Sequence, residues 1–339
     1  MKQRAPIPTT KNARTLYLYG KHYVMNTIPT VDLAEYLSGD PARMKQFAND
    51  LGKAYREVGF VAVSNHGVDN NLVDRFYSAV QQFFAMPEEK KLQYEIPGLA
   101  GQRGYTSFGK EHAKGSEAAD LKEFWQFGQT VRDNDPVKSE YPENVEVKEM
   151  PEFNELGKRL YSSFEVSGGH LLRAIADFME LPNNYFAPHI HNGNSILRAI
   201  HYPPITQEPK SAVRAEQHED INLITLLVGA SADGLEVMST EGNWVAVKTA
   251  PDEIVVNVGD MLQRLTNNVL RSTTHRVVNP PKEKWHTSRF SIPFFLHPRS
   301  DMDLTCLETC VTDENPLQYE PITAGGYLDQ RLREIGLKK

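Results

Sequence analysis

The chain has 339 residues, 40% of them hydrophobic, which allows one large or two modest domains around a sizeable core. A formal net charge of −7, with no Lys/Arg run and no interleaving of aromatic with basic residues, excludes the broad cationic face that nucleic acid requires. No apolar stretch approaches the roughly 20 residues of a bilayer span and the N-terminus lacks the apolar core of a secretory signal, so a small molecule met in the cytoplasm is the expected partner.

Residues 1–24 carry Lys2, Arg4, Lys11, Arg14 and Lys21 without a helical or alternating pattern. They are expected to be a leader, non-native or weakly ordered, ahead of Met25. Residues 25–150 read as an N-terminal region of helices and strands. Met44, Phe47, Leu51, Ala54, Tyr55 and Val58 recur mostly at three- and four-residue steps, which predicts a helix stopped by Gly59. Phe60 to Val63 reads as a short strand, Asn65-His66-Gly67 as a turn, and Asn70 to Phe84 as a second amphipathic helix. The Glu/Lys-rich run 88–91 reads as a solvated helix end. From Gly98 to Phe127 the chain is rich in Gly, polar and aromatic residues, which predicts strands and site-lining loops. A charged, Pro-bounded connection leads to a central segment, 151–194, built on a long helix from about Phe153 to Glu180 that contains Gly168-Gly169.

After Ser195 the texture changes. Leu197 to Tyr202, Ile221 to Val228, Leu235 to Met238, Trp244 to Val247, Ile254 to Val258, His275 to Val278 and Arg289 to Phe295 are short β-rich runs punctuated by Gly, Asn and Pro. Strands at this spacing predict a sandwich or jelly-roll core over residues 195–300, with the helical part as support and a C-terminal extension, 301–339, packing on it. Asn257, Gly259 and Asp260 suit a turn, Asn267-Asn268 suits a hairpin that needs positive φ, and Trp244 suits the core. The only cysteines, Cys306 and Cys310, are too few and too close together to staple a chain of this size and read as reduced thiols.

Within the β-rich part, His218-Glu219-Asp220 is followed 55 positions later by His275. Two imidazoles and one carboxylate are the ligand set of a non-haem Fe(II) oxygen-activating site. If residues 218–220 are extended, His218 and Asp220 project from one face while Glu219 points away. His189-Ile190-His191 is the nearest rival among the eleven histidines, but it lacks a carboxylate at matching spacing.

An ordered set of further motifs accompanies this one. It comprises Val58-Gly59-Phe60 with Asn65-His66-Gly67, Phe83-Phe84 with Pro87, Gly104-Tyr105, Asp120-Leu121-Lys122-Glu123, and Leu197-Arg198 with Tyr202-Pro203-Pro204. Gly234-Leu235-Glu236-Val237, Val256-Asn257-Val258-Gly259-Asp260, Ser272 to Val277 and Arg289-Phe290-Ser291 complete it. With these the chain resembles the isopenicillin N synthase-like family of Fe(II)/2-oxoglutarate-dependent dioxygenases over most of residues 28–335. The resemblance implies a mainly β fold with flanking helices. Its core would be a double-stranded β-helix (jelly roll) wrapped by N-terminal and central helices.

The same resemblance implies that His218, Asp220 and His275 bind Fe(II) at one mouth of the barrel and leave adjacent positions open for co-substrate and O2. Two neutral imidazoles and one carboxylate leave the ion with one net positive charge, which favours an anionic chelator such as 2-oxoglutarate. The reaction implied is oxidation of a small organic molecule by hydroxylation, desaturation or ring chemistry, with release of succinate and CO2. Arg289, whose guanidinium binds a carboxylate bidentately, and Ser291, two positions on, would hold the distal carboxylate of 2-oxoglutarate. Tyr202 would donate a hydrogen bond to it, and Arg198, Phe124 and Phe295 would line the substrate pocket. One position departs from the pattern: many 2-oxoglutarate users of this group carry Asn two residues before that Tyr, where this chain has Ile200. Isopenicillin N synthase uses its Arg-x-Ser pair for a peptide substrate without 2-oxoglutarate, so an oxidase that draws all electrons from its own substrate stays open. A jelly-roll binding or sensing protein is the third reading, opposed by the open ligand set, because structural metal sites usually close their coordination shell.

Overall fold

A computed structural model describes residues 27–99, 101–111, 120–209, 212–229 and 233–334, together with a two-residue ladder between Leu18–Tyr19 and His22–Tyr23. Apart from that ladder, the expected leader and Met25 lie outside the described residues. Helix α1 (Pro41–Glu57) starts where the Asp40 carboxylate accepts from the backbone N–H groups of Ala42 and Arg43, with proline in the first turn. It buries Phe47, Leu51, Ala54 and Tyr55, four of the positions that the apolar spacing marks. It is terminated at Gly59, which has a φ of +76°. A Cβ at Gly59 would lie 2.3 Å from Thr273 Oγ1 and 2.4 Å from the Arg271 carbonyl oxygen. Gly59→Ala is therefore expected to cost at least ~2 kcal/mol, from left-handed strain plus a clash with backbone, read as a lower urea midpoint at unchanged slope.

The strands that build the sheets are β1 (Thr30–Asp32), β2 (Phe60–Ser64), β3 (Gly104–Thr106), β4 (Glu123–Gly128), β5 (Ile196–Tyr202) and β6 (Ala215–His218). They continue as β7 (Ile224–Val228), β8 (Leu235–Met238), β9 (Trp244–Ala246), β10 (Ile254–Val258), β11 (His275–Val277) and β12 (Arg289–Leu296). The larger sheet has the order β1-β2-β10-β7-β12-β5-β4-β3, and the smaller has β9-β8-β11-β6. Among the described residues only β1 and β2 pair in parallel. The sheets meet through apolar clusters. Phe124, Ile200 and Tyr202 of one touch Ala215 and Val277 of the other, and Phe60, Ala62 and Val255 pack with Val237. The eight strands from Ile196 to Leu296 form the double-stranded β-helix.

Strand β12 shows how one strand serves two layers, because successive side chains point to opposite faces. On one face Phe294 stacks on Phe164 at 5.4 Å and meets Tyr161 edge-on at 5.0 Å. Both partners lie on the long helix that α2 (Asn70–Phe84) precedes, α3 (Pro151–Phe178). Gly168 allows that helix to approach the sheet, since a Cβ there would sit 2.3 Å from Leu296 Cδ1. On the other face Arg289 and Ser291 turn into the barrel. Arg289 is registered against Tyr202, and Ser291 against Ile200.

Several local expectations are corrected. Lys91 is not part of a solvated run: it is buried and pairs with Glu123 at 2.7 Å, with its ammonium drawn over the Phe84 and Tyr105 rings. Trp244 is only partly buried and lies under the Arg276 guanidinium at 3.9 Å, because β9 is the edge of the smaller sheet. Asn267 and Asn268 do take positive φ, 47° and 67°, but they close the end of helix α4 (Asp260–Leu265) rather than a hairpin. The C-terminal extension carries helix α5 (Ala324–Glu334), which the periodicity did not flag. No helix among the described residues is long and apolar enough to cross a membrane.

Candidate active site

The expectation that one extended strand carries both His218 and Asp220 is corrected. His218 is the last residue of β6, and Asp220 stands in the turn that follows, ahead of β7. The carboxylate is brought back to the imidazole by neighbours from two other strands. Thr225 Oγ1 of β7 donates to Asp220 Oδ2 at 2.6 Å, and Asn257 Nδ2 of β10 donates to the same oxygen at 2.8 Å. The other oxygen, Oδ1, is left facing two imidazole nitrogens, His218 Nε2 at 4.0 Å and His275 Nε2 at 3.8 Å. His275 opens β11 directly across from His218, with ring centres 4.4 Å apart. Among the described residues this is the one group of three or more His, Cys, Asp or Glu whose ligand atoms converge, all within 4.8 Å of one another. His189 and His191 form no such group.

The donor chemistry fits a divalent ion. His218 Nδ1 lies 2.7 Å from the Glu216 carbonyl, and His275 Nδ1 lies 3.1 Å from the Thr273 carbonyl. A carbonyl only accepts, so each ring carries its proton on Nδ1 and presents the Nε2 lone pair to the shared space. Burial, and next the adjacent His275, push His218 down to about 4, so the ring is neutral at neutral pH. Burial alone would push Asp220 up. The two imidazoles and the hydrogen bonds from Asn257 and Thr225 outweigh that and hold it below the usual carboxylate range. Asn257, read from the sequence as a turn residue, therefore orients the Asp220 carboxylate. Asn257→Ala is expected to lower Fe(II) affinity about tenfold, at the lower end of what losing such an outer partner costs, measured by anaerobic calorimetry.

A cavity of about 470 Å³ opens onto His218 and Asp220. Its wall includes Arg198 and Phe295, two of the three residues expected to line a substrate pocket. The third, Phe124, lies beneath the wall: the Arg198 guanidinium sits 4.2 Å over its ring and 5.3 Å from that of Phe295, so the fold brings the three together. Tyr202, Arg289 and Ser291 do not belong to the cavity wall. They are buried on the same inward face toward the opposite end of β5 and β12, and the Arg289 guanidinium lies 5.0 Å from the Tyr202 ring. Ile200 is buried between Phe124 and Tyr202.

Sequence reasoning missed much of the polar wall. Lys122 Nζ is held by Glu111 at 2.6 Å and Asp120 at 2.7 Å, and Glu111 also meets Arg198 at 3.3 Å. Burial raises the Glu111 carboxyl, but Arg198 and Lys122 outweigh it and hold the group at about 2. Asp120 further fixes β6 by accepting from the Glu216 N–H at 3.0 Å. The Asp120-Leu121-Lys122-Glu123 match was the only signal for this cluster. For Glu111, for His297 and for the α5 residues Leu328, Arg331 and Leu332, which also line the cavity, there was none.

A jelly roll whose mouth holds a convergent, open-faced His/Asp/His set beside a substrate-sized cavity defines the class of non-haem iron oxygenases. The particular family follows from comparison: the chain belongs to the 2OG-Fe(II) oxygenase superfamily. The model of that superfamily matches residues 183–298, and the model described as non-haem dioxygenase in morphine synthesis N-terminal matches residues 28–152. The chain is 32% identical to the proline hydroxylase buaE of Petromyces alliaceus, over 90% of this chain and 98% of that one. A crystal structure of a 2OG-Fe(II) oxygenase family protein from Caulobacter crescentus is 43% identical, with a TM-score of 0.83, covering 92% of this chain and all of that one. A full-length Neurospora crassa protein crystallised in complex with alpha-KG and thymine is 30% identical with a TM-score of 0.80, covering 91% of this chain and 97% of that one. The protein is an Fe(II)- and 2-oxoglutarate-dependent dioxygenase that oxidises a small organic molecule.

Proposed function

We propose that His218, Asp220 and His275 hold the Fe(II), that Arg289, Ser291 and Tyr202 hold 2-oxoglutarate, and that Arg198, Phe124 and Phe295 form the substrate side of the site. The observation that carries this reading is the division of the barrel interior. Its mouth has the convergent ligand atoms and the cavity, while its depth has a buried guanidinium registered against a phenol. With Fe(II), 2-oxoglutarate and O2 bound, the site supplies oxidative decarboxylation of the co-substrate to succinate and CO2, coupled to removal of a hydrogen atom from the substrate. The chain's own part is positional. Thr225 and Asn257 aim one carboxylate oxygen, the Glu216 and Thr273 carbonyls set both imidazole tautomers, and Phe60, edge-on to His275 at 5.4 Å, shields the ring from water.

The substrate is a compact polar molecule of the size the cavity admits, hydroxylated, desaturated or closed into a ring. Arg198, held by Gln126 at 3.0 Å and by Glu111, is the anchor that offers it hydrogen bonds. Thymine in the Neurospora complex and the proline in the name of buaE are both small ring compounds, which supports this size class. We place the reaction in the cytoplasm, in keeping with two buried, unpaired cysteines, with neither nucleic acid nor membrane as partner. Adding 2-oxoglutarate to the Fe(II) protein without oxygen should produce a weak, saturable visible charge-transfer band. Stoichiometric iron binding with no band at any 2-oxoglutarate concentration would sink the assignment of Arg289, Ser291 and Tyr202.

A further inference from the structure

Arg214 immediately precedes β6, four residues before His218, and is 1% exposed. Its guanidinium lies 5.9 Å from the centre of the Tyr202 ring, so the same phenol is flanked by two buried guanidinium groups, Arg214 and Arg289. Nη2 of Arg214 donates to the Thr287 carbonyl at 3.1 Å, whereas Nε has no hydrogen-bond partner among the described residues. None of the ion pairs among the described residues involves Arg214. Burial, and then the Arg289 charge, lower its pKa to about 10, so it still carries its proton at neutral pH. A guanidinium in a protein does not escape burial by losing its proton. Arg214, a buried guanidinium with an unsatisfied Nε–H and no ion pair among the described residues, is costly until an anion joins it.

Strand register places this pair at the depth of the barrel. β6 runs from Ala215, opposite Val277, up to His218, opposite His275, so Arg214 extends beyond the end that faces away from the metal ligands. Tyr202 and Arg289 close the same end of β5 and β12. We propose that Arg214 is a second cation of the co-substrate pocket. As a positioning residue it holds Tyr202 against Arg289, and its added charge makes the pocket select a 2-oxo dicarboxylate over a 2-oxo monocarboxylate of the same chain length. The inference rests on the reading that Arg289 and Tyr202 hold 2-oxoglutarate. A purely structural Arg214, tying β6 to Thr287, would alter melting but not this discrimination.

The test is anaerobic calorimetry on the Fe(II)-loaded full chain, titrated with 2-oxoglutarate and with 2-oxopentanoate. Arg214→Gln is expected to weaken 2-oxoglutarate binding by about tenfold or more while 2-oxopentanoate changes less than about twofold, since only the dianion gains from the second charge. Equal loss for both acids, or no loss for either, overturns the proposal. Arg214→Lys keeps the charge and serves if the Gln variant does not fold. It should bind 2-oxoglutarate within about threefold of the parent, and a loss beyond about tenfold in folded Lys protein would overturn the charge assignment. Arg289→Gln separates the two levels of inference. If it leaves 2-oxoglutarate binding intact, the underlying reading fails. If it weakens binding and Arg214→Gln does not, only the role of Arg214 fails.

Discussion

Asp220→Ala should abolish turnover and weaken Fe(II) binding by more than about 100-fold, beyond the roughly 10- to 100-fold that loss of an outer partner costs. In the proposed ligand set the carboxylate is the sole anionic member, and it would supply the charge that imidazole nitrogens do not. The substitution also strands the Thr225 hydroxyl and the Asn257 amide, both buried, at a cost of about 1–3 kcal/mol in stability. Iron affinity is therefore to be read on protein whose melting transition is intact, with succinate release as the activity measure. Parent-like iron binding in folded Asp220→Ala protein would remove Asp220 from the ligand set.

Arg289→Ala should raise the 2-oxoglutarate concentration needed for half-maximal succinate release by about 10- to 100-fold, the worth of a charge-assisted bidentate contact. Fe(II) affinity should stay within about twofold, because β12 places Arg289 at the opposite end of the barrel interior from the metal ligands. The split between the two affinities is the informative result. A fall in both would mean that Arg289 supports the barrel as a whole. A fall in neither would mean that the co-substrate carboxylate is held elsewhere. Ile200 lies across from Ser291 and packs with Phe124. At that point the barrel interior carries an apolar side chain and no amide, so the proposed co-substrate pocket rests on Arg289, Ser291 and Tyr202.

The helices and strands with a clear period were legible. Helix α2 spans Asn70–Phe84 as its apolar spacing predicts, and β8 and β10 span Leu235–Met238 and Ile254–Val258 as their β-branched runs predict. Strand β6 was not legible, because Ala-Glu-Gln-His carries no alternation of its own and is held in place by pairing with β11 and by the Asp120 carboxylate. Helix α5 lacks a strong apolar stripe and is placed by Tyr327 donating to Asp260 at 3.1 Å.

By itself the sequence marked the β-rich part as a sandwich or jelly roll, His218, Asp220 and His275 as a candidate ligand set and Arg289-Phe290-Ser291 as part of one strand, because side-chain chemistry and short β-rich runs are local properties of the chain. Only the tertiary structure decided how the ligands converge. Asp220 stands in a turn, not on the strand of His218, and its aim comes from Thr225 and Asn257, the latter 37 residues away in the chain. The cavity wall was likewise a tertiary decision. Glu111 and Lys122, both outside the strands, meet each other and Glu111 meets Arg198 of β5 at ion-pair distance, and Arg214, just ahead of β6, and Arg289 of β12 are brought to one phenol from different sheets. Such clusters are set by packing between distant segments, and no spacing along the chain encodes them.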